Sequence, residues 1–232
     1  MVRMFPNILT MCNLFSGCVA ILLISTGKPF GAIFCVALSL LFDFLDGLFA
    51  RLLKQNHPLG RDLDSLADVV SFGVVPGIMY YTLLSGLTWS NAFPWVVYTG
   101  FIFTVFGAYR LARFNVAHAK QDHFSGLPIP SAAIFVTGLY WIAHSASCQS
   151  CASAFINPSV ILLSIAFLSY LMVSELPHFS FKMKRFGWKG SEIQWIYLFL
   201  VIVLIFVVGE VAVSLSIVLY VFLSLVYFYL PQ

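Results

Sequence analysis

Long apolar segments separated by short polar stretches constrain the fold of this chain more than any other feature. Hydrophobic residues make up 61% of its 232 residues, charged residues only 9%, and the mean hydropathy is +0.96. Soluble globular domains carry about 25% charged residues. A membrane-spanning helix needs about 20 apolar residues, so the chain has room for about seven or eight spans. We therefore predict an all-α, polytopic transmembrane helix bundle that forms one domain over residues 1–232.

The apolar sequence divides into eight predicted helices, six of which have a proline at or just before their start, and only Gly209-Glu210 separates the last two. Proline is tolerated in the first turn of a helix, because the N–H groups there have no intrahelical acceptor. Pro76, by contrast, lies inside the third predicted helix and predicts a kink there. The predicted helices cover residues 8–26, 30–53, 60–86, 93–117, 130–147, 158–174, 193–208 and 211–229.

Lysine and arginine residues are distributed unevenly over the predicted bundle. With the N-terminus in the cytoplasm, eleven of the twelve fall at or near the cytoplasmic side, and only Lys28 falls outside. Positive residues concentrate in cytoplasmic loops. We therefore expect a plasma (inner) membrane protein whose termini and basic segment 181–189 are cytoplasmic. Cys148 and Cys151 then lie outside, as plain loop cysteines or a local disulfide, because no further ligand supports a metal or redox pair.

Acidic residues are concentrated at one predicted helix pair. Five of the nine lie in a 26-residue window where the second predicted helix ends and the third begins. At about 100° per residue, Asp43 and Asp46 share a face of the second helix, and Asp64 and Asp68 share a face of the third. The short connecting loop brings these faces together. Carboxylates near hydrocarbon are costly unless something positive balances them, and divalent cations prefer oxygen ligands.

The residues around these acids suit a phosphate-containing ligand. Gly47, Ala50 and Gly60 allow close helix approach and leave room for a bulky molecule. Arg51 is the single nearby cation of the window's first half, and its planar guanidinium suits phosphate. Asp62 points nearly opposite to Asp64 and is left out of the site. The pattern predicts a site for divalent metals and a diphosphate at the cytoplasmic interface.

The whole window resembles the signature of the CDP-alcohol phosphatidyltransferase family. It reads Asp43-Phe-Leu-Asp46-Gly47-Leu-Phe-Ala50-Arg51, eight residues, Gly60-Arg-Asp-Leu-Asp64-Ser-Leu-Ala-Asp68, and matches Asp-x2-Asp-Gly-x2-Ala-Arg-x8-Gly-x3-Asp-x3-Asp at every defined position. The resemblance implies that family's fold and two bound divalent cations, Mg²⁺, Mn²⁺ or Ca²⁺. In that reading the four aspartates of the two faces bind the metals, Asp68 is also the general base, and Gly47 and Arg51 contact the CDP-linked donor.

An N-terminal segment resembles the phosphatidylserine synthase branch of the family. It runs Pro6-Asn7-Ile-Leu-Thr10-Met-Cys-Asn13-Leu-Phe-Ser-Gly17. Asn7 and Thr10 are candidates to meet the nucleotide or diphosphate, together with His57 and Gly60 near the loop. The alternative for Asn7 and Thr10 is helix capping and hydrogen bonding between helices.

A second segment, Arg110-Leu-Ala-Arg113-Phe-Asn115 with Gly126-Leu-Pro128-Ile-Pro130, also resembles that branch. Arg110 and Arg113 lie three residues apart on one helix, so both can face the site. With Asn115 they are candidates to bind serine through its carboxylate. The alternative is that the two arginines extend toward lipid phosphates.

The branch resemblance implies a transfer of the phosphatidyl group from CDP-diacylglycerol to L-serine, yielding phosphatidylserine and CMP. The expected partners are these substrates, membrane lipids and a second copy in a homodimer, with no nucleic acid. The same chemistry with glycerol phosphate or inositol phosphate is the nearest alternative. A divalent-cation transporter and an intramembrane prenyltransferase are further alternatives, although no internal repeat or midplane acidic site supports the transporter.

Overall fold

The computed structural model describes residues 5–53, 58–87, 93–117, 126–146, 153–176 and 192–229. Within these ranges the chain is helical and contains no strand, as predicted. His57, Cys148, Cys151 and the basic segment 181–189 lie outside the described residues.

Each of the eight predicted helices has a counterpart. The first two are α1 (Phe5–Ser25) and α2 (Pro29–Leu52). The third, α3, consists of Pro58–Asp68, a π-helical stretch Val69–Val74 and Val75–Ser85, and α4 of a 3₁₀ stretch Pro94–Thr99 and Gly100–Ala117. The remaining helices are α5 (Ile129–His144), α6 (Pro158–Val173), α7 (Glu192–Val208) and α8 (Val211–Tyr229).

Five of these helices are long and apolar enough to cross a membrane. They are α1, α2, α3, α4 and α8, represented by Phe5–Ser25, Pro29–Leu52, Leu59–Ser85, Pro94–Val116 and Val211–Phe228. The other three helices are equally apolar but have 16, 16 and 17 residues. The chain is an integral membrane protein by the length and composition of its helices.

The sequence predicts a kink at Pro76, and the structure has a π-helical stretch just before this proline. Proline has no N–H to donate to the preceding turn, and the hydrogen-bond pattern widens over Val69–Val74, just before it. Thr104 of α4 donates to the Gly73 carbonyl over 2.8 Å and so supplies that carbonyl with a partner. The π-helical stretch begins one residue after Asp68, so it follows the acidic part of α3 directly along the chain.

Helix α3 is the centre of the bundle. It has the most deeply buried span, and Phe72, Met79 and Tyr80 on it are fully buried. Helix α1 packs along α2 and also against the first part of α3, while α4 packs against the second part of α3 and against α6. Helix α8 packs against α5 and α7. Because α1 contacts both acidic helices, its side chains can reach both halves of the site.

Candidate metal and substrate site

The two acidic faces meet as predicted. Carboxylate oxygens of Asp43, Asp64 and Asp68 all lie within 4.8 Å of one another. Asp46, one turn after Asp43, is close enough for its charge to interact with that of Asp64. The i, i+3 and i, i+4 spacings place each pair on one side of its helix, which is why local periodicity predicted the cluster. Asp62 is exposed on the other side of α3.

The carboxylate cluster fits divalent cations. Among the described residues, none of these four aspartates forms an ion pair with a lysine or arginine. Asp64 Oδ1 is buried and has no hydrogen-bond partner among the described residues. A buried carboxylate oxygen without a partner is costly, and hard divalent cations take such oxygens as ligands. The donor set therefore suits a hard cation.

Helix α1 supports the cluster from one side. Thr10 Oγ1 donates to Asp46 Oδ2 over 2.7 Å, and Asn13 Nδ2 donates to Asp68 Oδ1 over 3.2 Å. The Thr10 hydroxyl therefore makes a hydrogen bond between helices, which was the alternative to the prediction that Thr10 contacts the donor. Asn13 was not predicted as a site residue. The signal was the run of polar residues at every third position of α1, Asn7, Thr10, Asn13 and Ser16, because residues three apart lie on neighbouring parts of one helix face.

Four of the residues predicted to contact the donor flank the cluster. Arg51 Nε donates to the Gly47 carbonyl over 2.8 Å, at the exposed end of α2. A Cβ added to Gly47 would meet nothing within 4 Å, so a ligand has room there. A Cβ added to Gly60 would lie 3.2 Å from Asn7 Oδ1, so α1 and α3 are close at that point.

A cavity of ≈ 250 Å³ opens beside Asp64 and Asp68. Its other walls come from α4 and the start of α5, and they include Arg110, Asn115 and Pro130. Arg110 is only 8% exposed, and its Nε is buried without a hydrogen-bond partner among the described residues. The structure therefore brings a buried cation and two of the acidic residues into one cavity.

Asn115 is held at the edge of this cavity. Its Nδ2 donates to Ser65 Oγ over 2.8 Å, and Ser65 Oγ donates to the Arg61 carbonyl over 3.1 Å. Both Ser65 and Arg61 also line the cavity. The predicted proximity of Arg110 and Asn115 to the acidic face is thus observed, and Arg61 adds a second cation that the prediction omitted.

Arg113 does not share this position, which corrects the expectation that both arginines face the site. Its guanidinium donates to the Val173 carbonyl over 3.0 Å and to exposed Glu175 over 2.7 Å. Residues three apart differ by about 60° in direction on a helix. Arg113 therefore points in a different direction from Arg110, and the Glu175 carboxylate, just after α6, binds its guanidinium. Arg113 ties α4 to α6.

The segment just before α5, which forms one wall of the cavity, is hydrogen-bonded to the C-terminal end of α6. Gly126 has φ +79°, and its N–H donates to the Leu176 carbonyl over 3.0 Å. The Leu127 N–H donates to the Leu171 carbonyl over 3.0 Å. The segment leading to Pro128 and Pro130 is therefore fixed to the end of α6.

The fold and the site together define an integral membrane protein with a carboxylate cluster suited to metal ions. The chain belongs to the CDP-alcohol phosphatidyltransferase family, whose model matches residues 3–169. This confirms the family indicated by the acidic signature, and the match ends within α6.

Curated relatives share much of the chain's length. Archaetidylserine synthase of Methanothermobacter thermautotrophicus is 35% identical over 173 residues, covering 74% of this chain and 71% of the relative. CDP-diacylglycerol–serine O-phosphatidyltransferase of Helicobacter pylori is 34% identical over 203 residues, covering 86% and 82%. The protein of that name in Bacillus subtilis is 30% identical over 177 residues, covering 75% and 90%.

Proposed function

We propose that this protein transfers the phosphatidyl group of CDP-diacylglycerol to the hydroxyl of L-serine, releasing phosphatidylserine and CMP. The observation that carries the proposal is that Asp64, Asp68 and the buried cation Arg110 line one cavity. The acids would hold the cations that neutralise the reacting phosphate, Asp68 would accept the proton of the hydroxyl, and the arginine suits the acceptor's carboxylate. The names of the relatives point to the same reaction.

The acidic residues have two tasks in this proposal. Asp43, Asp46, Asp64 and Asp68 would hold two divalent cations, Mg²⁺, Mn²⁺ or Ca²⁺. When bound, such cations neutralise the diphosphate and stabilise the departing CMP. Asp68 also takes the proton of the serine hydroxyl as a general base. The serine oxygen then bonds to the phosphorus that carries diacylglycerol, the bond from that phosphorus to the bridging oxygen breaks, and CMP leaves with that oxygen.

Residues beside the acids bind the two substrates. Gly47 and Arg51 contact the donor's phosphates, with Asn7 and Gly60 at the adjoining contact of α1 and α3. Arg110 binds the serine carboxylate through its planar guanidinium, and Asn115 supplies a further hydrogen bond. Thr10, which already bonds Asp46, acts on the donor through that carboxylate. His57, beyond the described residues, remains a candidate donor contact.

The domain organisation, membrane orientation and oligomeric state are proposed from the charge pattern and the family resemblance. Residues 1–232 form one catalytic domain, in the plasma (inner) membrane, with both termini and the site at the cytoplasmic face. The distribution of lysine and arginine supports that orientation. A homodimer is what the family resemblance implies, and light scattering of the purified protein in detergent measures it.

One assay tests the reaction. Purified protein in lipid nanodiscs receives CDP-diacylglycerol, Mn²⁺ or Mg²⁺ and radiolabelled serine, and labelled lipid and CMP are measured in parallel. We expect equal amounts of both products, and none with EDTA. Parallel reactions contain glycerol phosphate or inositol phosphate in place of serine. A preference for either would change the acceptor and leave the metal chemistry in place, while metal uptake into sealed proteoliposomes without CMP release would indicate transport.

A further inference from the structure

We infer that Asn13 of α1 is a positioning residue that sets the direction of the Asp68 carboxylate within the metal site. The inference rests on the proposed function, because it assigns a task to a neighbour of a proposed metal ligand. Asn13 is 0% exposed, and its Nδ2 donates to Asp68 Oδ1 over 3.2 Å. With one oxygen of the carboxylate bound to a fixed donor, the plane of the group and the direction of its second oxygen are set.

The backbone of Asn13 is itself held from two sides. Its carbonyl accepts hydrogen bonds from Ser39 Oγ of α2 and from Ser71 Oγ of α3, both at 3.1 Å. Gly17, one turn later on α1, permits this approach, because a Cβ there would collide with Ser71 Oγ. Three helices therefore meet at Asn13, and the side chain that reaches Asp68 starts from a rigid point.

The surroundings of Asn13 Oδ1 indicate that this residue does more than stabilise the fold. Asn13 Oδ1 is buried and has no hydrogen-bond partner among the described residues. A buried polar atom without a partner destabilises a fold, and an apolar side chain of similar size would avoid that cost. Rotating the amide would place Oδ1 against the Asp68 carboxylate, where two acceptors repel each other. What the amide supplies at this position is its donor to Asp68.

Removing a hydrogen-bond partner of a metal ligand usually lowers the metal affinity by about 10-fold to 100-fold. Asn13→Leu removes the donor at comparable size. Ser39→Ala is the matched control, because it removes one of the two hydrogen bonds to the backbone of the same residue, while the bond from Ser71 still holds that backbone in place. Both variants are purified in nanodiscs. Their Mn²⁺ dissociation constants are measured by calorimetry, their melting temperatures in EDTA by fluorescence, and their kcat and serine KM by CMP release.

For Asn13→Leu we expect a Mn²⁺ dissociation constant raised by about 10-fold to 100-fold, a lowered kcat and a serine KM within about twofold of wild type. For Ser39→Ala we expect a lower melting temperature in EDTA with Mn²⁺ affinity close to wild type. A purely structural role of Asn13 would lower the melting temperature and leave the metal affinity of the folded protein unchanged.

A folded Asn13→Leu protein with wild-type Mn²⁺ affinity overturns the inference, as does an equal loss of affinity in Ser39→Ala. If Asn13→Leu does not fold, Asn13→Ala, which only removes atoms, is judged by the same criteria, and failure of both to fold assigns Asn13 a structural role. The proposed function fails separately: wild-type protein would then form no labelled lipid and release no CMP from CDP-diacylglycerol and serine, whatever its Mn²⁺ affinity.

Discussion

Thr10 Oγ1 donates a hydrogen bond to Asp46 Oδ2 over 2.7 Å and so joins α1 to the acidic face of α2. Both side chains are buried. Asp46 lies outside the group of three carboxylates that approach within 4.8 Å of one another. The hydroxyl therefore sets the direction of the fourth carboxylate. A helix that contains no acidic residue helps to shape an acidic site.

Thr10→Val removes this hydroxyl at nearly the same side-chain volume. We expect Mn²⁺ affinity to fall about tenfold, the lower end of the range for partners of metal ligands, while Thr10→Ser keeps most of it. Calorimetric titration with Mn²⁺ measures both variants. If Thr10 instead contacts the donor directly, Thr10→Val will raise the KM for CDP-diacylglycerol and leave Mn²⁺ binding intact.

Replacement of any one of Asp43, Asp46, Asp64 or Asp68 by asparagine should reduce turnover at least about 100-fold, because each change removes a metal ligand or the general base. Asp62→Asn is the matched control, since its exposed side chain lies away from the cluster. CMP release over a range of Mn²⁺ concentrations measures all five variants. Near-wild-type turnover in any of the four would contradict the metal site, and equal damage in the control would contradict the helical facing.

Arg110→Lys should raise the serine KM about 10-fold to 100-fold, the effect expected for a hydrogen bond to a charged group. Lysine keeps the charge but loses the planar pair of donors. Arg113→Lys should change the serine KM little, because its guanidinium is committed to Val173 and exposed Glu175 and exposed ion pairs contribute little. Initial rates at varied serine and CDP-diacylglycerol measure both. A selective rise in the donor KM in Arg110→Lys would assign this arginine to the diphosphate.

Gly126→Ala should lower the melting temperature more than Gly27→Ala. Both glycines have positive φ, +79° and +68°, so alanine costs about 1–2 kcal/mol at each. At Gly126 the added Cβ would also lie 2.7 Å from the Met172 carbonyl oxygen, whereas at Gly27 it would meet nothing within 4 Å. Thermal unfolding in detergent compares them. Equal melting temperatures would show that the segment before α5 moves freely from the end of α6.

Cys148 and Cys151 should react from outside intact cells with a membrane-impermeant thiol reagent, directly or after mild external reduction. The eleven-to-one division of lysine and arginine predicts that side for them. A variant with both cysteines replaced by serine is the control for Cys12, Cys18 and Cys35, which lie within α1 and α2. Reaction only after permeabilisation would reverse the orientation.

The sequence alone determined the features that depend on spacing along one helix. The apolar segments and their flanking prolines predicted eight helices, and the i, i+3 and i, i+4 positions of Asp43, Asp46, Asp64 and Asp68 predicted two acidic faces. These inferences succeed because helical geometry relates sequence distance directly to direction around the helix. A short loop between the two helices then leaves their acidic faces little choice but to meet.

Only the tertiary structure decided which groups from other helices join those faces. Thr10 and Asn13 turn toward the acids because α1 packs against both α2 and α3, and no spacing within α1 states that. Arg110 enters the cavity while Arg113 pairs with Glu175, a residue 62 positions later. Such outcomes depend on how each helix rotates and crosses its neighbours, and that is set by the packing of the whole bundle rather than by local periodicity.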